Sequence, residues 1–314
     1  MAGFIVRRLL NLIPVAFVVL LITFSLIHLT PGNPAYTILG EQASKQAVKL
    51  LDIKMGLNRP LPTQFVVYLW HVVHGNLGRS LLDNESVAHL IITRLPITLE
   101  LSILAIWLSL IIALPIGVLA AYRPNTWIDS FSRVLALVGA AVPNFWLALL
   151  LVWVFAVSLH WMPALGWVPL SQGLWPNLYH LIVPSVVLAL QLIAITSRVL
   201  RGELMEVLHQ LFVQVARAKG VNEWGVVMRH GLKNALIPVI TVVGLQVGAL
   251  LGGVVITEEI FSLPGMGQLI VNSIFDRDYI TLQGVVLFLA LVVLVANLMV
   301  DLLYAAIDPR IRYN

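Results

Sequence analysis

Long runs of apolar residues without charge dominate the hydropathy pattern of the chain. A helix crosses the hydrocarbon core of a bilayer, about 30 Å thick, with about 20 apolar residues. Windows of that length without Asp, Glu, Lys or Arg lie at residues 9–29, 101–122, 134–157, 178–197, 234–257 and 280–300. They are continuously apolar and do not alternate in short segments, which favours helices over barrel strands. The pattern therefore predicts six transmembrane helices.

The stretch over residues 134–197 contains no charged side chain and is too long for one span. Glycine and proline interrupt helices, and several of them cluster near its middle. These helix breakers are Pro163, Gly166, Pro169, Gly173 and Pro176. We predict a break between two spans there, with the neighbouring tryptophans Trp161, Trp167 and Trp175 at the membrane interface.

Basic residues are distributed unequally between the two sides that these spans define. Arg7 and Arg8 precede the first span and predict a cytoplasmic N-terminus. Six crossings return the C-terminus to the same side, and the segments so assigned to the cytoplasm hold 12 of the 19 Lys and Arg residues. The long segment 31–97 is expected outside, because long loops translocate largely regardless of charge. We expect three parts: residues 1–30 with the first span, the insertion 31–97, and a five-helix core over 98–314.

The first apolar run is an expected span and not a cleaved leader. It covers residues 9–29, which is longer than the roughly 7–15 residues of a signal-peptide core. The residues that follow it, TPGNP at 30–34, do not form a small-residue cleavage site.

Composition agrees with a polytopic membrane protein. Sixty per cent of the chain is hydrophobic and 11% is charged, with a mean hydropathy of +0.95, whereas soluble domains average about 45–50% and 25%. These values exclude a soluble enzyme and a disordered chain. The absence of cysteine excludes disulfide scaffolds, iron–sulfur clusters and cysteine-based zinc sites.

The sequence contains no catalytic constellation and no cofactor motif. Phosphate-loop, His-Glu-x-x-His and Gly-x-Ser-x-Gly patterns are absent. His71 and His74 have helical spacing, but without a nearby carboxylate partner they favour a helix face over a metal site. Gly265-Met266-Gly267 follows Pro264 in an expected outside loop, so we interpret it as a turn. We therefore predict no catalytic, cofactor-binding or metal-binding residue in this chain.

Two carboxylates lie at the ends of predicted spans. Glu100 lies at the outer mouth of the second span, where a carboxylate also suits a helix N-terminus, and Asp301 lies late in the sixth. Both are candidates for a structural or gating role at the rim, and a proton relay is the alternative. The polar residues within spans, Asn11, Gln191, Gln246 and Asn297, are interpreted as contacts between helices.

Three glycines at spacing four form a smooth ridge on the fifth span. Gly244, Gly248 and Gly252 would let a neighbouring helix approach closely. That neighbour is either another helix of this chain or a partner subunit around a pore, and the sequence leaves both open.

The loop between the fourth and fifth spans, residues 198–235, has helical periodicity. From Glu203, apolar residues recur at the spacing of an amphipathic helix; they are Leu204, Val207, Leu208, Leu211 and Val215. Gly220 is predicted to end this helix, and Asn222 to cap a second short helix towards Leu232. Basic residues line the turn region: Arg217, Lys219, Arg229 and Lys233. Such a slim projection suits a groove on a cytoplasmic protein, or it lies on anionic lipid.

Ordered motifs extend from this loop over nearly the whole chain. They read ARAKG at 216–220, HGLKNA at 230–235 with Pro238, RRL at 7–9 with Ile13-Pro14, TPGNP at 30–34, GLNRPL at 56–61, GNLGRS at 75–80, PNFW at 143–146, EIFSLPGMG at 259–267, RDY at 277–279 and DPRIR at 308–312. In this combination the chain resembles the dipeptide/oligopeptide/nickel family of ABC-importer permeases.

The resemblance implies an all-α polytopic permease of the type I importer fold in the cell inner membrane, with a periplasmic insertion after the first helix. It also implies a heterodimer with a second permease, two cytoplasmic ATPase subunits that bind ATP and Mg, and a periplasmic or lipid-anchored binding protein. In such systems a loop motif, Glu-Ala-Ala-x-x-x-Gly, forms a coupling helix in an ATPase groove. Here Gln214 and Val215 replace the acidic residue and one alanine, while Ala216 and Gly220 match.

The residues expected in ATPase coupling are Gln214, Val215, Ala216, Arg217, Ala218, Lys219, Gly220, His230 and Asn234. The solute is expected to be a di- or oligopeptide or a related small solute such as glutathione, with nickel or a metallophore as the alternative within the family. From another class, an ion-coupled secondary transporter is disfavoured, because the candidate carboxylates lie at the rims of spans and no obvious inverted repeats with broken mid-helices are present.

Overall fold

The computed structural model describes residues 2–29, 34–39 and 43–307 of the chain. These residues are largely helical and form no β-strand, with a single isolated bridge between Arg79 and Ser86. In chain order the helices are α1 Ala2–Leu29, α2 Pro34–Leu39, α3 Lys45–Met55, α4 Leu61–Val73, α5 Val87–Tyr122, α6 Trp127–Ala141, α7 Asn144–Ser158, α8 Leu174–Leu208, α9 Leu211–Ala218, α10 Glu223–Ile260, α11 Met266–Phe275 and α12 Tyr279–Ile307.

Four helices among the described residues are long and apolar enough to cross a membrane. They are α5, α8, α10 and the part of α12 over Tyr279–Val300. The bent pair α6 and α7 makes a fifth candidate if it counts as one span. The first predicted span lies in α1, where Leu10–Ser25 is a shorter apolar helix, so the number six stays a prediction.

The third predicted span is not one straight helix. Between α6 and α7 the axis bends by 102°, and the prediction of an uninterrupted helix over residues 134–157 was wrong. Pro143 explains the bend, because the ring of a proline disfavours the helical conformation at the residue before it. Val142 accordingly has an extended backbone, with φ −82° and ψ 121°.

Two spans extend well beyond the charge-free windows that predicted them. The helix α5 begins 14 residues before the predicted start at 101, and α8 continues 11 residues past the predicted end at 197. Charged residues ended those windows, but apolar residues at helical spacing continue and are buried, such as Val87 and Ile91 in α5 and Leu200 and Leu204 in α8. Burial of one face therefore sets the ends of both helices.

The predicted break between the fourth span and its predecessor is confirmed. Residues 159–173 leave the helical pattern, apart from one short turn at Leu170–Gln172, and α8 begins at Leu174. Gly173, at φ 124°, occupies a backbone conformation that few other residues adopt.

The chain divides into two compact units. The first contains Met1–Thr98 and Pro264–Val295, and its core is formed by Val87, Ile91, Met266, Leu269 and Val285. Met266 starts α11 and donates its backbone N–H to Thr98 Oγ1 at 2.9 Å. The interpretation of residues 265–267 as a turn alone was therefore wrong, because Met266 and Gly267 belong to the first turn of a helix.

The second unit contains Leu99–Leu263 and Ala296–Asn314. Its largest apolar cluster joins buried residues of α5, α8, α9 and α10. The members are Val118, Ala121, Leu200, Leu204, Val207, Leu208, Val213, Ala216, Val226, Val227, Ala235 and Val239. This cluster connects the short helix α9 to three candidate membrane spans.

Candidate functional site

The short helix α9 and its flanking turns, residues 209–222, form a projection that we call the α9 loop. The helix α8 ends at Leu208, and His209 and Gln210 separate it from α9. The expected single amphipathic helix from Glu203 was wrong, because it is two helices. Leu204, Val207 and Leu208 belong to α8 and are buried, whereas Leu211 begins α9.

Gly220 ends α9 as predicted. Its φ is +81°, in the left-handed region that favours glycine. The N–H of Gly220 donates to Arg217 O at 2.9 Å, and the N–H of Val221 donates to Ala216 O at 3.2 Å. This pair of bonds is a Schellman motif, which satisfies the last carbonyl groups of a helix.

Asn222 caps the following helix as predicted. Its side-chain oxygen accepts from the Gly225 N–H at 2.7 Å. The expected short second helix is, however, the start of the long α10. A π-helical segment, Val226–Gly231, lies near the start of α10. Such segments often occur at functional sites.

The α9 helix has one anchored face and one exposed face. Val213 and Ala216 are buried in the cluster that joins α5, α8 and α10. On the other side Leu211 is 78% exposed and Val215 is 53% exposed, with Phe212 partly exposed beside them. Apolar residues on an exposed, rigidly held helix are typical of a surface that a partner covers.

Arg217 holds the α9 loop together from within. Its guanidinium donates to both carboxylate oxygens of Glu223, at 2.9 and 3.3 Å, and to Leu208 O at 3.1 Å. One side chain therefore links the end of α8, the helix α9 and the start of α10. Arg217 is a positioning residue of the loop, and Glu223 is the partner that the sequence analysis missed.

The remaining predicted coupling residues lie at two levels. Gln214, Ala218 and Lys219 are exposed on or beside α9. His230 and Asn234 belong to α10, where Asn234 Nδ2 donates to His230 O at 2.9 Å. Arg229 and Lys233 are exposed on the same stretch of α10, so the positive charge predicted for the loop lies mainly on its α10 side.

The predicted glycine ridge of α10 divides into two parts. A Cβ atom on Gly244 would overlap the side chain of Val300 in α12, so this glycine permits close packing within the chain. A Cβ atom on Gly252 would meet no described heavy atom within 4 Å. Gly248 lies half-buried between them. The ridge is thus covered by the chain itself at one end and open at the other.

Two substitutions separate these environments. We expect Gly244→Val to lower the unfolding midpoint of the isolated chain in detergent, because the added methyl groups displace Val300. Gly252→Val is expected to leave that midpoint nearly unchanged, and it serves as the matched control. Equal destabilisation by both variants would contradict the division of the ridge.

Glu100 connects α5 to α8 and to the segment before it. Its Oε2 atom accepts from Trp167 Nε1 at 3.2 Å and from Asn177 Nδ2 at 2.9 Å. The interpretation of Glu100 as a residue at a helix N-terminus was wrong, because α5 begins at Val87. Its geometry is that of a half-buried carboxylate that holds a loop, and a gating role stays a prediction. The side chain of Asp301 lies outside the described residues.

The histidine pair at the C-terminal end of α4 shows no metal geometry. His71 and His74 are exposed, and His74 Nδ1 lies 2.8 Å from Trp70 O. In the part of the chain that the structure describes, no group of three or more His, Cys, Asp or Glu side chains could hold a metal ion.

A buried ion pair between α6 and α8 was missed by the sequence analysis. Asp129, in the first turn of α6, is fully buried and accepts from Arg201 of α8, with Nη2 at 3.0 Å from Oδ2. The Asn125 N–H donates to the same carboxylate at 2.9 Å, and Arg133 lies 3.6 Å away. The two residues are 72 positions apart in sequence, so no local motif signals their contact.

These features define a helical membrane protein, and comparison with known proteins agrees. The family of inner membrane components of binding-protein-dependent transport systems matches residues 113–313. The N-terminal region of membrane components of such systems matches residues 1–102. The chain therefore belongs to this family and is an inner-membrane permease of the ABC-importer class.

Curated relatives align over the full length of the chain. The dipeptide transport system permease protein DppB of Alkalihalophilus pseudofirmus is 43% identical over 333 residues, covering 100% of both proteins. The glutathione transport system permease protein GsiC of Escherichia coli is 40% identical over 314 residues, again covering 100% of both.

Solved structures support the fold. Inward-facing conformations of the MetNI methionine ABC transporter match with a TM-score of 0.56 and 16% identity, over 70% of this chain and 96% of that one. An amino acid ABC transporter solved with histidines matches with a TM-score of 0.51 and 15% identity, over 70% of this chain and 94% of that one.

Proposed function

We propose that this permease forms one half of the translocation pore of an ATP-driven importer of small peptides. The α9 loop carries the proposal, because it joins an exposed apolar face to the buried cluster of α5, α8 and α10. The names of the relatives, which refer to transport of dipeptides and of glutathione, favour a peptide solute over nickel or a metallophore. Family membership favours an importer over an ion-coupled carrier.

The coupling step is mechanical and requires no catalytic residue in this chain. Partner ATPase subunits bind and hydrolyse ATP with Mg, and their closure moves the α9 loop. Val213 and Ala216 are buried with residues of the long helices, so α9 cannot move without displacing those helices. Packed helices shift between discrete arrangements and do not deform continuously, so movement of α9 opens or closes the path.

We propose that α9 lies on the cytoplasmic side of the membrane. We propose six spans with both termini in the cytoplasm, α1 being the first span and the bent pair α6 and α7 the third. Residues 31–97 then form a periplasmic insertion that docks a substrate-binding protein. A second, homologous permease completes the pore as a heterodimer. The exposed cations Lys219, Arg229 and Lys233 complement acidic residues of the ATPase.

The exposed apolar face of α9 provides the test. We expect Leu211→Glu to lower co-purification of the ATPase subunits with the permease by at least about tenfold, because one buried leucine contributes about 1.5–3 kcal/mol. Glutamate in a first helical turn suits the helix dipole, so α9 itself should stay folded. Co-purification is measured from membranes that contain the complete importer.

The matched control adds the same charge three residues later. Gln214 is already polar and exposed, and Gln214→Glu introduces the acidic residue that the related motif carries. We expect this variant to retain the ATPase subunits. Normal retention by Leu211→Glu, or equal loss by both variants, would argue against docking through the apolar face.

A further inference from the structure

Two amide side chains meet at the bend between α6 and α7. Asn144, the first residue of α7, donates from Nδ2 to Oε1 of Gln191 on α8 at 3.3 Å. Gln191 is exposed and Asn144 is half-buried, so the pair lies at the surface of its unit. Neither amide makes another side-chain hydrogen bond to the described residues. The oxygen of Asn144 and the nitrogen of Gln191 are therefore open to a further partner.

The backbone next to this pair is also unsuited to lipid. Pro143 is exposed, and no side chain caps the first turn of α7. Irregular backbone at membrane depth is tolerated only where protein buries it or where it lines a water-filled cavity. Polar side chains within spans occur in the same two environments. The Asn144–Gln191 pair therefore faces either a partner helix or an aqueous path.

A second amide, on α10, also contacts α8. Gln246 of α10 is 8% exposed, and its Oε1 atom lies 3.5 Å from Thr196 Oγ1 on α8. Its Nε2 atom has no hydrogen-bond partner among the described residues. Gly253, seven residues further along α10, places its Cβ position 3.4 Å from Asn144 Nδ2. The two amide levels are thus about 10 Å apart along the helix axis.

Exposure distinguishes the Asn144–Gln191 pair from Gln246, which is buried against α8 and acts as a contact between helices. A buried amide is sufficient to hold two helices together, whereas an exposed amide pair with open hydrogen-bonding groups is available to a polar solute. An amide side chain offers both a donor and an acceptor, and these match the C=O and N–H groups of a peptide bond. Such a contact is independent of the side chains of the peptide.

We infer that Asn144 and Gln191 line the translocation path and hydrogen-bond to the main chain of a passing peptide. This inference rests on the proposed importer function and assigns solute-contacting residues to it. Gly253 has no side chain and leaves space for the Asn144 amide. Because Asn144 directly follows the bend of the third span, the contact with the peptide forms at the level of that bend.

The test compares a dipeptide with an ester analogue in which an ester bond replaces the peptide bond, so that the peptide N–H is absent. The complete importer is reconstituted in vesicles with its ATPases and binding protein, and uptake of each compound is measured. We expect Asn144→Leu to lower dipeptide uptake about three- to tenfold, corresponding to one lost hydrogen bond, and to lower ester uptake less, because the ester has no N–H from which Asn144 Oδ1 could accept. Gln191→Leu removes the donor to the C=O group, which both compounds retain, and should lower both uptakes, while Gln191→Asn, which retains the amide, should restore much of the uptake.

Val186→Leu is the control, because Val186 is an exposed apolar position on the same helix; it should leave both uptakes unchanged. The inference is overturned if Gln191→Leu transports the dipeptide normally. It is also overturned if Gln191→Leu lowers the uptake of both compounds and, to the same extent, the yield of the permease heterodimer, since that result indicates a subunit contact. If the proposed importer function itself is wrong, the unmodified complex takes up no peptide, and this distinguishes that result from the two results above.

Discussion

Replacement of Gly220 by valine is expected to abolish the stimulation of ATP hydrolysis by solute-loaded binding protein, while the chain still inserts into the membrane. Gly220 has φ +81°, and a residue with a Cβ atom costs about 1–2 kcal/mol in that conformation, with branched residues the least tolerated. A Cβ atom there would meet no described atom within 4 Å. The effect therefore comes from the backbone of the turn and not from a steric clash.

The turn matters because it sets the direction of α9. Valine favours another backbone conformation, which breaks the bonds from Gly220 to Arg217 and from Val221 to Ala216. The apolar face of α9 is then presented to the ATPase at a different angle. Stimulated hydrolysis by the purified complex is the measurement, and immunoblotting of membranes establishes insertion.

Two further variants make the result specific. Asparagine tolerates the left-handed region better than valine, so Gly220→Asn should retain a substantial part of the stimulation. Gly202 of α8 also has no described neighbour within 4 Å of its Cβ position, but it is helical. The complex with Gly202→Val should therefore show normal stimulation of ATP hydrolysis by solute-loaded binding protein. Full stimulation in Gly220→Val would count against a coupling role for α9.

The order of the long helices and the C-terminal end of α9 were predictable because their causes are local. Apolar windows located the candidate spans, and the chemistry of Gly220 and Asn222 located the turn after α9. The ends of α5 and α8 were placed wrongly, because charge was used as a stop signal. Leu200 and Leu204 are buried on a stretch of α8 that also carries charged residues, so the helix continues as an amphipathic one.

The contacts that hold the candidate site together were not predictable from spacing. Arg217 looked like a cation available to a partner, yet it is occupied by Glu223 and Leu208 O within the loop. Leu211 looked like part of the buried stripe of one helix, but the break at His209 and Gln210 turns it outward. Both outcomes depend on how α9 packs against distant helices, which no local pattern encodes.

The Asp129–Arg201 pair is expected to show the largest effect on stability. Arg201→Leu leaves the fully buried Asp129 carboxylate without its principal partner, and Arg133, at 3.6 Å and more exposed, compensates only in part. Breaking a buried ion pair costs about 3–5 kcal/mol. Because 23% of the Arg201 side chain is exposed, we expect about 2–4 kcal/mol here, measured by unfolding of the purified chain in detergent.

Asp129→Leu should destabilise the chain less than Arg201→Leu does. The freed arginine reaches water through its exposed part, whereas the buried carboxylate does not. The double variant with leucine at both positions removes both charges and should recover stability relative to Arg201→Leu. Arg198→Leu, an exposed arginine three residues earlier on α8, is the control and should have little effect. A double variant no more stable than Arg201→Leu would show that lost packing, and not an unpaired buried charge, causes the destabilisation.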